Sequence, residues 1–128
     1  MNTYIADTAY VGSNTRVFDD AKIGGKASVY DNAQVYGNAH IGGYAHIGGY
    51  AHVYDNAAIG DHAQVYGNAQ VSDYAEIGGY AHILGYAKVK GHATVGGNAQ
   101  VLKDSTLEGD VSILEGRLMK IYWWRDIP

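Results

Sequence analysis

An aliphatic residue recurs at every sixth position from Ile5 to Ile113, nineteen times without a gap or an insertion. The series runs Ile5, Val11, Val17, Ile23, Val29 and onward to Val101, Leu107 and Ile113. Four places after each comes a smaller residue: Ala9, Thr15, Ala at every sixth position from Ala21 to Ala99, then Ser105 and Val111. A period of six fits no amphipathic helix, because 3.6 residues per turn would carry the stripe around the cylinder. It fits a short strand followed by a corner. With the aliphatic residue numbered 0, the small residue at −2 and the aliphatic point to one side of an extended segment, while −1 and +1 point to the other. Gly, Asp and Asn, frequent at +2 and +3, supply the positive or unusual φ that a sharp corner requires. Each unit is one edge of a polygon.

The unit Ile41-Gly42-Gly43-Tyr44-Ala45-His46 shows the pattern whole. This run resembles the hexapeptide repeat of left-handed parallel β-helix proteins, in which three units make one triangular coil of 18 residues. The resemblance covers residues 1–116 and implies an all-β fold, a left-handed parallel β-helix of about six coils, about 30 Å tall at a strand spacing of ~4.8 Å. Residues 117–128 break the pattern: Arg117 stands where a small residue belongs, and the segment carries Tyr122, Trp123 and Trp124. A solenoid needs its terminal coils covered, so this aromatic tail is expected to cap the helix or to form an interface. Met1 to Tyr4 are too few to cap the other end, which is expected to meet another subunit.

Composition agrees with a narrow solenoid. Hydrophobic residues make up 47% of the 128, yet much of that share is Ala and the 12 Tyr, and there is one Phe. Ala fills little volume and buries little apolar surface, so a broad core of interdigitating side chains is not expected. The 18 Gly and single Pro indicate many tight bends. Without Cys there is no disulfide framework, thiolate metal site or thiol nucleophile. A net charge of −4 with scattered Lys and Arg argues against a nucleic-acid partner. No secretory signal opens the chain and no apolar run reaches membrane-spanning length. The protein is expected to be soluble and cytoplasmic, with no membrane partner.

Counting in eighteens sorts the outward residues onto three walls. On the first wall, position +1 reads Ala6, Gly24, Gly42, Gly60, Gly78 and Gly96, an uninterrupted glycine strip. The second reads Gly12, Tyr30, Gly48, Tyr66, Leu84 and Leu102; the third reads Phe18, Tyr36, Tyr54, Ser72, Lys90 and Glu108. The glycine strip reflects either the tolerance of the repeat for Gly or the close approach of another chain. The column of Phe18, Tyr36 and Tyr54 is either a ladder that stabilises the sheet or a binding surface. His40, His46 and His52 fall at −1 of successive units, one per wall, and cannot converge on one metal; no metal site is expected. His46 and His82 share a wall with Gln64 between them, roughly 9 to 10 Å apart by strand spacing. His62 and His92 lie at corners.

Many proteins with this repeat are trimeric acyltransferases that use acetyl-CoA or an acyl carrier protein and a His general base between subunits. On that resemblance the catalytic candidates are His46 and His82, with acetyl-CoA as the cofactor. The loop and flanking element that usually wall off the cleft in those enzymes are missing here, and no motif transfers a catalytic His. The γ-class carbonic anhydrases, built on the same repeat, share three His across a trimer interface; the equal spacing of His40, His46 and His52 does not reproduce that arrangement. Regular Thr ladders, which an ice-binding wall would carry, are absent. The preferred expectation is a non-catalytic binding or assembly module without cofactor, a homo-oligomer of dimer or trimer order that binds or inhibits another protein. Its candidate binding residues are Gly24, Gly42, Gly60, Gly78, Gly96, Phe18, Tyr36, Tyr54, Tyr122, Trp123 and Trp124, because aromatic residues commonly anchor interfaces.

Overall fold

In the computed structural model, which describes residues 2–118 and 122–123, the chain is a parallel β-solenoid of about six turns, with no helix among the described residues. Two-residue strands occupy positions −1 and 0 of each unit, from β1 (Tyr4–Ile5), β2 (Tyr10–Val11) and β3 (Arg16–Val17) to Ser112–Ile113. Every third strand pairs in parallel, in a register of 18 residues such as Ile5 with Ile23 and Ile41 with Ile59, and so builds three seven-stranded walls. The register keeps like with like: each aliphatic residue stacks on an aliphatic and each small residue on a small one. Inside, Ala and Ile, Val or Leu form one continuous axis, and from Ala21 to Val101 these inward positions are no more than 3% exposed.

The corners have a single conformational requirement, at +2. All sixteen residues at that position from Asp19 to Gly109 have positive φ, and they are ten Gly, five Asp and Lys103. No residue at +3 from Asp20 to Asp110 does, so over these coils the left-handed demand falls on one position and not on both; Gly116, at +3 of the Ile113 unit where the spacing contracts, is the exception at φ 94°. The N–H of each small residue from Ala9 to Ser105 then closes a turn on the carbonyl at +1, as from Ala63 to Gly60 at 3.2 Å. Between coils the N–H groups at −1, +1 and +3 donate to carbonyls of the coil that follows, for example Gln64 to Ala81, Tyr66 to Ile83 and Asn68 to Gly85, at 2.7 to 2.9 Å. The ladder therefore runs through the corners as well as along the walls.

Asp at a corner has a specific task. The N–H groups of Gly37, Gly49, Asp73, Gly79 and Gly91 donate to the carboxylates of Asp19, Asp31, Asp55, Asp61 and Asp73, each 18 residues earlier, at 2.8 to 3.2 Å. All five left-handed Asp staple the next corner in this way. The direction follows from the backbone: a Cβ built at Gly67 (φ +70°) would lie 2.8 Å from the N of Gly85. A methyl group there is crowded, whereas a carboxylate one bond further accepts that N–H. Gly67→Ala is expected to cost about 1–2 kcal/mol, the usual penalty of left-handed backbone for an L-residue. Gly67→Asp should cost less despite its size, and the order of melting temperatures, Gly above Asp above Ala, checks the staple.

The walls outlast the six-residue period. Past Ile113 the next strands are Arg117–Leu118 and Tyr122–Trp123, which pair with Gln100–Val101 and Thr106–Leu107. The backbone of Tyr122 and Trp123 thus continues the third wall. Trp124, and the capping or interface role expected of residues 117–128, lie outside the described residues.

Candidate functional site

The glycine strip lies along the first wall as the floor of a shallow trough of about 660 Å³. Tyr4, Lys22, His40, Glu76 and Thr94, the outward residues at −1, flank it on one side, and Asp61 and Gly79 at the corner contribute to the other. Ile41, Ile59 and Ile77 beneath it remain 2 to 3% exposed, whereas Ile47, Val53, Val65 and Val71 on the other walls are at 0%. All of these remain buried, and on the first wall the glycines leave only the backbone above them.

The wall glycines differ in what they serve. A Cβ at Gly48, on the second wall, would lie 2.5 Å from Cε2 of Tyr30. Gly48 is the seat of that ring. A Cβ at Gly78 would lie 2.9 Å from the Asp61 carboxylate, and one at Gly96 would lie 3.4 Å from Leu114. At Gly42 and Gly60 a Cβ would meet nothing within 4 Å, and at Gly24 only a carbonyl at 4.0 Å. None of these six has the left-handed φ that favours glycine. Gly24, Gly42 and Gly60 are therefore required neither by the backbone nor by packing within the chain.

The aromatic residues form columns that follow the 18-residue register. Phe18, Tyr36 and Tyr54 stack on the third wall with centroids 4.9 and 5.1 Å apart and planes within 5°. A second column, which the outward +1 positions did not reveal, runs up a corner at +3: Tyr44, His62 and Tyr80 stack at 5.0 and 4.9 Å. Lys26 stands over the Tyr44 ring at 5.9 Å. Tyr74 and His92 repeat the arrangement at another corner, at 5.1 Å. Stacked rings use their faces on one another and turn only their edges to solvent, which favours the ladder reading of these columns. The outer face of Phe18, the first ring of its column, has no stacking partner among the described residues. Burial raises the Tyr36 phenol above its ordinary value, with Tyr54, Asp55 and Asp19 adding to the shift. Tyr30 is raised likewise by burial, with Asp31 and Tyr66 adding to it.

The histidines remain apart. His46 and His82 both pair with Gln64, from opposite sides, and share no contact. His46 meets the edge of Tyr30 at 6.3 Å and His52 the edge of Tyr36 at 6.2 Å. His52 also lines a polar recess of about 570 Å³ with Arg16, Gln34 and Tyr50. Among the described residues no group of three His, Asp or Glu is placed to hold a metal ion. At the lower end of the third wall Lys90 and Glu108 lie 4.0 Å apart, an exposed ion pair of little energetic weight. Comparison with family models, curated proteins and solved structures finds no match to this chain.

Proposed function

We propose that the protein is a non-catalytic assembly module, a rigid left-handed prism whose glycine wall receives a second protein surface, the same wall of another copy being the partner that the chain itself supplies. The observation that carries this reading is the open space above Gly42 and Gly60. Glycine destabilises a strand by roughly 0.5–1 kcal/mol relative to alanine, and at these positions the chain's own fold gains nothing in return. A bare wall lets a partner approach the backbone directly, without the side chains that cover the other walls at +1. The flat, loop-free faces suit a broad contact better than a substrate cleft.

The absence of native Cys makes the test direct. Gly60→Cys should form a disulfide-linked dimer under mild oxidation, well above the level given by Glu108→Cys on the third wall. Equal cross-linking of the two would remove the wall as a self-docking face. Acyl transfer at His46 or His82 would show itself differently, as a rise in melting temperature with acetyl-CoA; at a hundred times its Kd a ligand adds about 2.7 kcal/mol. No such rise is expected.

A further inference from the structure

The first coil, Thr3 to Asp20, has no strand before it among the described residues. Hydrogen bonds pass between coils with a fixed polarity: Tyr4 donates to Ala21, Ala6 to Ile23 and Asp20 to Gly37. Carbonyls at −2, 0 and +2 accept from the coil before; in the first coil the Asp19 carbonyl accepts from the Thr3 hydroxyl, at 2.6 Å, and those of Ile5, Val11 and Val17 have no such donor among the described residues. In an extended strand the N–H and C=O of one residue point to the same edge. Ile5, Val11 and Val17 therefore each turn a donor and an acceptor toward the open end. The apolar axis is open there too: Ile5 is 42% exposed, while Ile23 in the next coil is at 0%. Tyr4, Tyr10 and Phe18 rim the opening, all exposed.

We propose that this end is a two-fold joint, in which the first coil of one copy packs face to face on the first coil of a second copy. Turning the second copy over makes its strands antiparallel to those of the first. Residues that carry both groups on the facing edge then exchange two hydrogen bonds, as in the hydrogen-bonded pair of an antiparallel ladder. Head-to-tail stacking fits less well. The last coil is contracted, with Gln100 opposite Arg117 and Thr106 opposite Tyr122, registers of 17 and 16 in place of 18, so its sides do not match those of the first coil.

The winding of the chain fixes the register. A helical end is a ramp with one step, here at the corner where the Asn2 N–H reaches the Asp20 carboxylate, at 2.8 Å. Two such ramps meet without a gap only where their steps coincide. That condition places the two-fold axis through the second wall, with Val11 against Val11 of the second copy and Ile5 against Val17 of the second copy. The flanking residues then fall into place. Tyr10 faces Gly12 of the second copy, as Tyr30 covers Gly48 within the chain. Tyr4 faces Phe18 of the second copy and covers the unstacked face of that column. This joint uses surfaces other than the glycine wall and does not rest on it.

The test is sedimentation equilibrium at micromolar concentration in a Gly60→Arg background, which blocks the wall. This variant should weigh twice the chain mass of 13.7 kDa. Adding Tyr4→Lys and Phe18→Lys sets like charges opposite each other across the joint and should halve the mass with the circular dichroism spectrum unchanged. Tyr4→Asp with Phe18→Lys sets opposite charges there and should keep the dimer. A monomeric Gly60→Arg protein would overturn the joint. A dimer that survives the paired lysines, or one that the Asp and Lys pair fails to keep, would overturn the register.

Discussion

Ala63→Leu is expected to destabilise the solenoid by about 3 kcal/mol, the upper part of the usual range for overpacking a core, whereas Gln64→Leu, one residue along, should stay within about 0.5 kcal/mol of the parent. Ala63 is fully buried and follows Ile59, itself 2% exposed, around the same coil. The register that sets Gln64 between His46 and His82 sets Ala63 between Ala45 and Ala81, both at 0%. A leucine there would need the volume of three more carbons on an axis where every neighbour along the stack is also filled. The coil cannot swell to admit it, because the adjoining coils hold it at −1, +1 and +3 of every unit. Against a total stability of roughly 5–15 kcal/mol the loss is large. Thermal melting followed by circular dichroism checks it, and a melting temperature within a few degrees of the parent would mean that the axis has unused space.

The same periodicity explains what could be read from the amino acids alone. Nineteen aliphatic residues at a spacing of six place every strand from Tyr4–Ile5 to Ser112–Ile113, because an inward row tolerates no slip. The corner chemistry was half legible. Gly and Asp mark positive φ at +2, but no Asn at +3 adopts it, and at +3 only Gly116, where the spacing contracts, is left-handed. The Asp staples could not be read, since the accepted N–H lies 18 residues away and its direction depends on the sign of φ. The 18-residue spacing does contain the Tyr44, His62 and Tyr80 column, which lies at the corner and not among the outward +1 positions. The strands at Arg117–Leu118 and Tyr122–Trp123 were hidden because the spacing contracts from six to five after Ile113, which removes the aliphatic marker from its place. For the glycine strip, composition could not separate a seat such as Gly48 from open positions such as Gly42 and Gly60. That distinction depends on where the Tyr30 ring lies.

Two deletions should separate the code for the fold from the code for the proposed assembly. Removing residues 55–72 takes out one whole coil and joins Tyr54 to Asp73, which has the same residue type and the same φ of 59° as Asp55. Each wall keeps its own sequence, the glycine strip continues as Gly24, Gly42, Gly78 and Gly96, and Tyr44 comes to lie over Tyr80. This variant should fold and associate through the wall. Removing residues 61–66 joins Gly60 to Gly67, again +1 to +2, so every later unit still has its aliphatic, small and corner residues in place. Each of those units, however, moves round by one wall. Leu84 and Leu102 then follow Gly60 on the first wall, and Tyr44 meets Asn68. This variant should show the β-rich circular dichroism and cooperative melting of the parent, yet lose most of the wall contact, read as disulfide-linked dimer formed by Gly42→Cys in each background. A period of six is enough for the prism, whereas only a period of 18 keeps one wall bare. Equal cross-linking by both deletions would show that the glycine strip has no part in association, and failure of the six-residue deletion to fold would show that the walls are not interchangeable even as scaffold.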